Sequence, residues 1–148
     1  MGTGWRVFAL SVGGALGVNA RYWLGAWMSR WASPQFPWAT FVINVSGAFA
    51  IGFLTTLLAR WLPHPSVRLF ALVGFLGGYT TFSTFAYESL TLWERGERWL
   101  SLTNVAGSVA AGLVAVTMGT MLARGLTEVD GREKQTAAAM PEREEPPQ

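Results

Sequence analysis

Few residues in this sequence suit chemistry, and nearly all of them lie inside uncharged stretches. The run from Leu69 to Tyr87 carries no charge, yet it holds Thr80, Thr81, Phe82, Ser83, Thr84 and Phe85, with Glu88 just beyond it. On a helix, Phe82 and Phe85 share one face, and Thr81, Thr84 and Glu88 share another. Thr40, Asn44 and Gly47 recur on one stripe of a second apolar stretch. Asn104, Ser108 and Gly112 stack at spacings of four in a third, and Asn19 and Arg21 interrupt the first. No nucleophile, base and orienting group come together, so the chain does not read as an enzyme. Hydroxyls, amides, ring edges and one guanidinium in apolar surroundings suit holding or passing an ion. A plainer reading stands beside it. The aromatics then pack a kinked helix, Asn44 is interhelical glue, and Arg21 snorkels to an interface along its stem.

The elements that must position these groups are membrane helices. A crossing needs about 20 apolar residues. The expected helices run from Trp5 to Met28, Trp38 to about Leu58, Leu69 to Tyr87 and Trp99 to Ala123. The third is a poor continuous helix: Gly77-Gly78 is costly in a helix interior, and Thr80-Thr81 adds two β-branched residues. A break there frees backbone groups that lipid cannot satisfy, so protein, water or an ion must cover them. It also leaves a second half-helix starting near Thr81, whose partly positive end points at the centre. Gly13 and Gly17, and again Gly107 and Ala111, have the spacing that lets helices approach closely. Arg6 and the apolar run after it resemble a signal peptide, but no clear small-x-small site precedes Arg21, so a retained first helix is expected. His64 sits between prolines and reads as an exposed loop residue.

The composition agrees with a membrane protein. The chain has 148 residues, 51% hydrophobic and 14% charged, with no cysteine. A soluble domain carries roughly a quarter charged residues. Six of the nine acids (Glu128, Asp130, Glu133, Glu142, Glu144, Glu145) follow Arg124. Residues 1–124 are therefore expected as a four-helix transmembrane domain, and 125–148 as a disordered polar tail. The arginines are scattered, which argues against nucleic acid. Disulfides and thiolate metal sites are excluded. Four crossings place both termini on one side, with Arg6, Arg60, Arg68 and Arg124 there against Arg30, Arg95 and Arg98 opposite. So small a bias predicts insertion in both orientations and pairing of antiparallel copies.

Gly77-Gly78-Tyr79-Thr80-Thr81-Phe82-Ser83-Thr84-Phe85, followed by Glu88, resembles the third helix of the Fluc (CrcB-type) fluoride channels. Pro37-Trp38-x-Thr40-x-x-x-Asn44 resembles the same family, as does the Gly17-x-x-x-Arg21 pattern. The resemblance covers about residues 5 to 123. It implies an all-α membrane protein of four helices with a broken third. It further implies an antiparallel dual-topology homodimer in the plasma membrane (the inner membrane where there are two). The implied function is passive, fluoride-selective export that relieves fluoride toxicity.

By the same resemblance the fluoride path takes Asn44, Phe82, Phe85, Thr81, Thr84, Ser108, Asn104 and Arg21. Backbone carbonyls of Gly77 and Thr80, one pair from each copy, are expected to hold a structural sodium ion (Na+) at the dimer centre. Oxygen donors suit such a hard cation. Fluoride is strongly hydrated, so a path must replace its water with many donors, including the positive edges of aromatic rings. Two rival readings remain. A small proton-coupled dual-topology antiporter needs an embedded carboxylate in its first helix, which this sequence lacks. A non-transporting membrane scaffold explains the glycines but not Asn44 and the polar break. Whether Glu88 and Asn104 line the path or only pack is open at this stage.

Overall fold

The computed structural model describes residues 2–61 and 65–139, with side chains described as far as Glu128. All of the described secondary structure is helical. Helix α1 spans Thr3–Met28 and α2 Trp38–Trp61. A third passage follows in pieces: α3 (Pro65–Arg68), a π-helix (Leu69–Leu76), α4 (Gly77–Tyr79) and α5 (Phe82–Glu94). Helix α6 runs Arg98–Ala139. Trp38–Arg60, Pro65–Glu94 and Arg98–Glu128 are each long and apolar enough to cross a membrane. With 26 residues, α1 is long enough but less apolar. It carries Arg6, Asn19 and Arg21.

The surface is inside-out relative to a soluble protein. Val73, Val105, Val109, Leu113 and Met118 are all exposed, and the largest fully buried side chain is the amide Asn104. This is the arrangement lipid permits, because the solvent outside is itself apolar. The exposed Trp23, Trp27, Trp31 and Trp38 sit where α1 ends and α2 begins, and Trp93 and Trp99 where α5 ends and α6 begins. Successive passages reverse direction, so these six indoles gather at one end of the bundle. There they suit the headgroup level.

Glycine sets the closest contacts. A Cβ on Gly13 would lie 2.6 Å from the Phe70 carbonyl oxygen, and one on Gly17 would strike that of Phe75. Gly78 answers from the other side, where a Cβ would come 2.7 Å from Gly14 O. These residues press α1 against the π-helix and α4. On α2 and α6, Gly52 faces the Val116 carbonyl and Gly119 that of Phe49. Gly107 and Gly112 meet nothing within 4 Å, so the expected close-packing face at Gly107 is open in this chain. The tight face of α6 lies further along, at Gly119.

The broken third helix is present, and its second half starts at Thr81, as expected. Gly77 and Gly78 are helical, and the chain departs from helix at Thr80 (φ −81°, ψ 157°) and Thr81 (φ −148°, ψ 115°). The β-branched pair adopts the extended backbone it favours, while the glycines serve approach to α1. Helix α6 continues to Ala139, past the end expected near Ala123. The segment expected as a disordered tail is thus helical over 125–139. His64 and residues 140–148 lie outside the described residues.

Candidate functional site at the helix break

The break is held by one side chain. Asn44 Nδ2 donates to the Thr81 carbonyl at 2.9 Å, and Asn44 Oδ1 accepts the Thr81 N–H at 2.9 Å. An amide fits here because it presents one donor and one acceptor side by side, matching an exposed peptide group. The bonds use one of its two N–H groups and leave the other over. Thr81 then caps α5: its Oγ1 accepts the Thr84 N–H at 3.3 Å and donates to Thr84 Oγ1 at 3.0 Å. Thr80 closes the other side, donating from its N–H and its hydroxyl to Leu76 O, each at 3.0 Å. Gly47, on the Asn44 stripe, leaves room for Thr80 Cγ2, which a Cβ there would strike.

Two grooves flank this knot. One, of about 480 Å³, is lined by Asn44, Gly47, Gly77, Thr80, Thr81, Phe82, Phe85 and Ser108, with Leu72, Leu76, Val109 and Leu113 as apolar walls. The Phe82 and Phe85 centroids lie 5.7 Å apart, their planes tilted by 49°. Phe82 is 79% exposed in the single chain, so its ring is free to meet something beyond it. The other groove, of about 440 Å³, is lined by Arg21, Tyr22, Ser29, Thr40, Thr81 and Thr84 among others. It is the more hydroxyl-rich of the two and holds the one guanidinium. Thr81 lines both.

Asn104 lies in neither groove. It is fully buried, donating to Ser89 Oγ at 2.9 Å and accepting from Ser108 Oγ at 3.3 Å. It therefore orients the Ser108 hydroxyl from behind. Glu88 also packs: its Oε1 accepts from Thr40 Oγ1 at 2.9 Å, and its Oε2 is buried without a partner in this chain. Sequence reasoning missed the Ser46–Tyr79 hydroxyl pair at 2.8 Å, which ties α2 to α4. It also missed the apolar walls, which carry no signal beyond their helical period.

Among the described residues no cluster of three or more His, Cys, Asp or Glu could hold a metal ion, and the break offers backbone oxygens instead. Gly77 O fits that role. Its ordinary helical donor, the Thr81 N–H, goes to Asn44 instead, and the space where a Gly77 Cβ would stand is open. Thr80 O is partly engaged, accepting from Arg21 Nη1 at 3.3 Å. A carbonyl has two lone pairs, so one remains.

Residues 8–120 match the family model described as CrcB-like protein, Camphor Resistance (CrcB). A relative from Solibacter usitatus, named a fluoride-specific ion channel FluC, is 49% identical over 80% of this chain and 98% of its own length. A FluC 2 from Nocardia farcinica is 47% identical over 82% of this chain and 86% of its own length. A FluC from Rhizobium meliloti is 40% identical over 82% and 98%. The matched span takes in both grooves, the broken third passage and α6 as far as Thr120, and on that ground the chain belongs to the CrcB-like family.

Proposed function

We propose that this protein is a passive fluoride-selective channel, not an enzyme, that lets fluoride leave the cell and so relieves fluoride toxicity. The observation that carries the reading is the groove at the break. It brings Asn44, Phe82, Phe85 and Ser108 together around a backbone that lipid cannot satisfy. These are weak, uncharged donors and ring edges, the kind of lining that can replace fluoride's water without trapping the ion. Thr81, which lines both grooves, and Thr84, which lines the second, add hydroxyls. Arg21 lines the second groove, where a positive charge raises the local concentration of anions.

The working unit in this reading is an antiparallel dual-topology homodimer in the plasma membrane, each copy crossing four times. The balanced arginines support it. So does the open face formed by exposed Phe82 and Gly77, which one copy leaves uncovered. In such a dimer the Gly77 and Thr80 carbonyls of both copies would hold a central sodium ion, supplying positive charge that ties the two breaks together. A strain that lacks its own fluoride export tests the proposal. Expression should restore growth in fluoride and lower the fluoride retained in the cells. If an imposed proton gradient is needed for export, the antiporter reading replaces this one.

A further inference from the structure

Arg21, which lines the second groove, reaches the break and donates from Nη1 to the Thr80 carbonyl oxygen at 3.3 Å. That oxygen is one of the two per chain offered to a central cation. A guanidinium carries a full positive charge and five N–H donors. Two positive groups would then draw on a single oxygen, one through each lone pair. We propose that Arg21 is the residue that sets the affinity of the break for its cation, holding the ion more loosely than the carbonyls alone would. This rests on the cation site proposed above and adds to it a like charge in direct contact with a ligand atom.

Three features of the surroundings point the same way. Thr80 is half-buried, so water screens the pair poorly. Among the described residues, Arg21 has no ion pair to offset its charge, and its groove is lined by hydroxyls and apolar groups without a carboxylate. The nearest acid on the third passage, Glu88, is engaged with Thr40 instead. The charge of Arg21 therefore falls on Thr80 O with little to balance it.

The test is sodium binding to the purified full chain in detergent, starting from sodium-free N-methylglucamine buffer. Radioactive sodium retained by the protein and the sodium-dependent rise in thermal midpoint are read together. Wild type should bind sodium saturably. Arg21→Gln keeps a donor for Thr80 O but removes the charge, and it should lower the half-saturating sodium concentration on the order of tenfold. Arg21→Lys keeps the charge and should stay close to wild type. Should the glutamine variant not fold, Arg21→Met is read in the same way. A half-saturation unchanged or raised in the neutral variants, with wild type binding normally, overturns the inference alone. Absence of saturable sodium binding in wild type overturns the cation site, and this inference with it.

Discussion

Replacing Asn44 by Asp separates the two tasks this residue can perform. In the folded chain its amide makes two bonds of 2.9 Å to the Thr81 peptide. Aspartate still accepts the Thr81 N–H, but its second oxygen then faces the Thr81 carbonyl, acceptor against acceptor. An unmet buried carbonyl costs about 1–3 kcal/mol, so the variant should unfold at lower temperature yet still fold. The effect on transport should be larger. A carboxylate in the groove repels a fluoride ion about 4 Å away by roughly 4 kcal/mol at an effective dielectric of 20, on the order of a thousandfold in occupancy. Fluoride efflux from liposomes, measured beside the thermal midpoint, reads both quantities. Efflux at the wild-type rate with a lowered midpoint would refute the reasoning: Asn44 would then be a cap on the break and no part of the path.

Three further expectations follow from the same geometry. Phe82→Ile or Phe85→Ile keeps most of the volume but removes a ring edge. Each ring contributes about 0.5–1.5 kcal/mol, so efflux should fall roughly two- to tenfold in a protein that still elutes as wild type; unchanged efflux would mean the rings only fill space. Gly17→Ala puts a methyl into the Phe75 carbonyl and should cost at least 1–3 kcal/mol as overpacking does, whereas Gly107→Ala, with nothing within 4 Å, should be close to neutral by thermal unfolding. Adding two or three Lys beside Arg30 should lock one orientation, seen by tag accessibility, and abolish transport unless an oppositely locked copy is co-expressed.

Much of the helical plan was legible because it depends on local properties. Charge-free runs of crossing length mark the spans, and Gly13 and Gly17 at a spacing of four do meet a neighbouring backbone. The break was legible as a conflict between span length and poor helix formers. Its exact place was not, since glycine cost and β-branching point to adjacent residues, and only packing decides. Gly78 is needed against α1, so Thr80 and Thr81 take the extended backbone. The π-helix over Leu69–Leu76 left no trace in composition. The site was legible as residue types but not as partners. Asn44 reads equally as glue or as lining, and the structure has it capping Thr81 with one N–H to spare. Asn104 shares a stripe with Ser108, yet that stripe turns inward at Asn104 and outward at Ser108. The end of α6 was misjudged because loss of apolar period signals departure from lipid, which a helix can survive.

Passive and selective conduction of fluoride can be read from efflux out of liposomes that contain the purified protein and equal internal fluoride and chloride. Ion electrodes follow both anions after a potassium ionophore removes the voltage that holds them back. Fluoride should be released rapidly with no pH gradient imposed, while chloride stays inside. Fluoride release no faster than from protein-free liposomes, or chloride leaving alongside it at a similar rate, would contradict it.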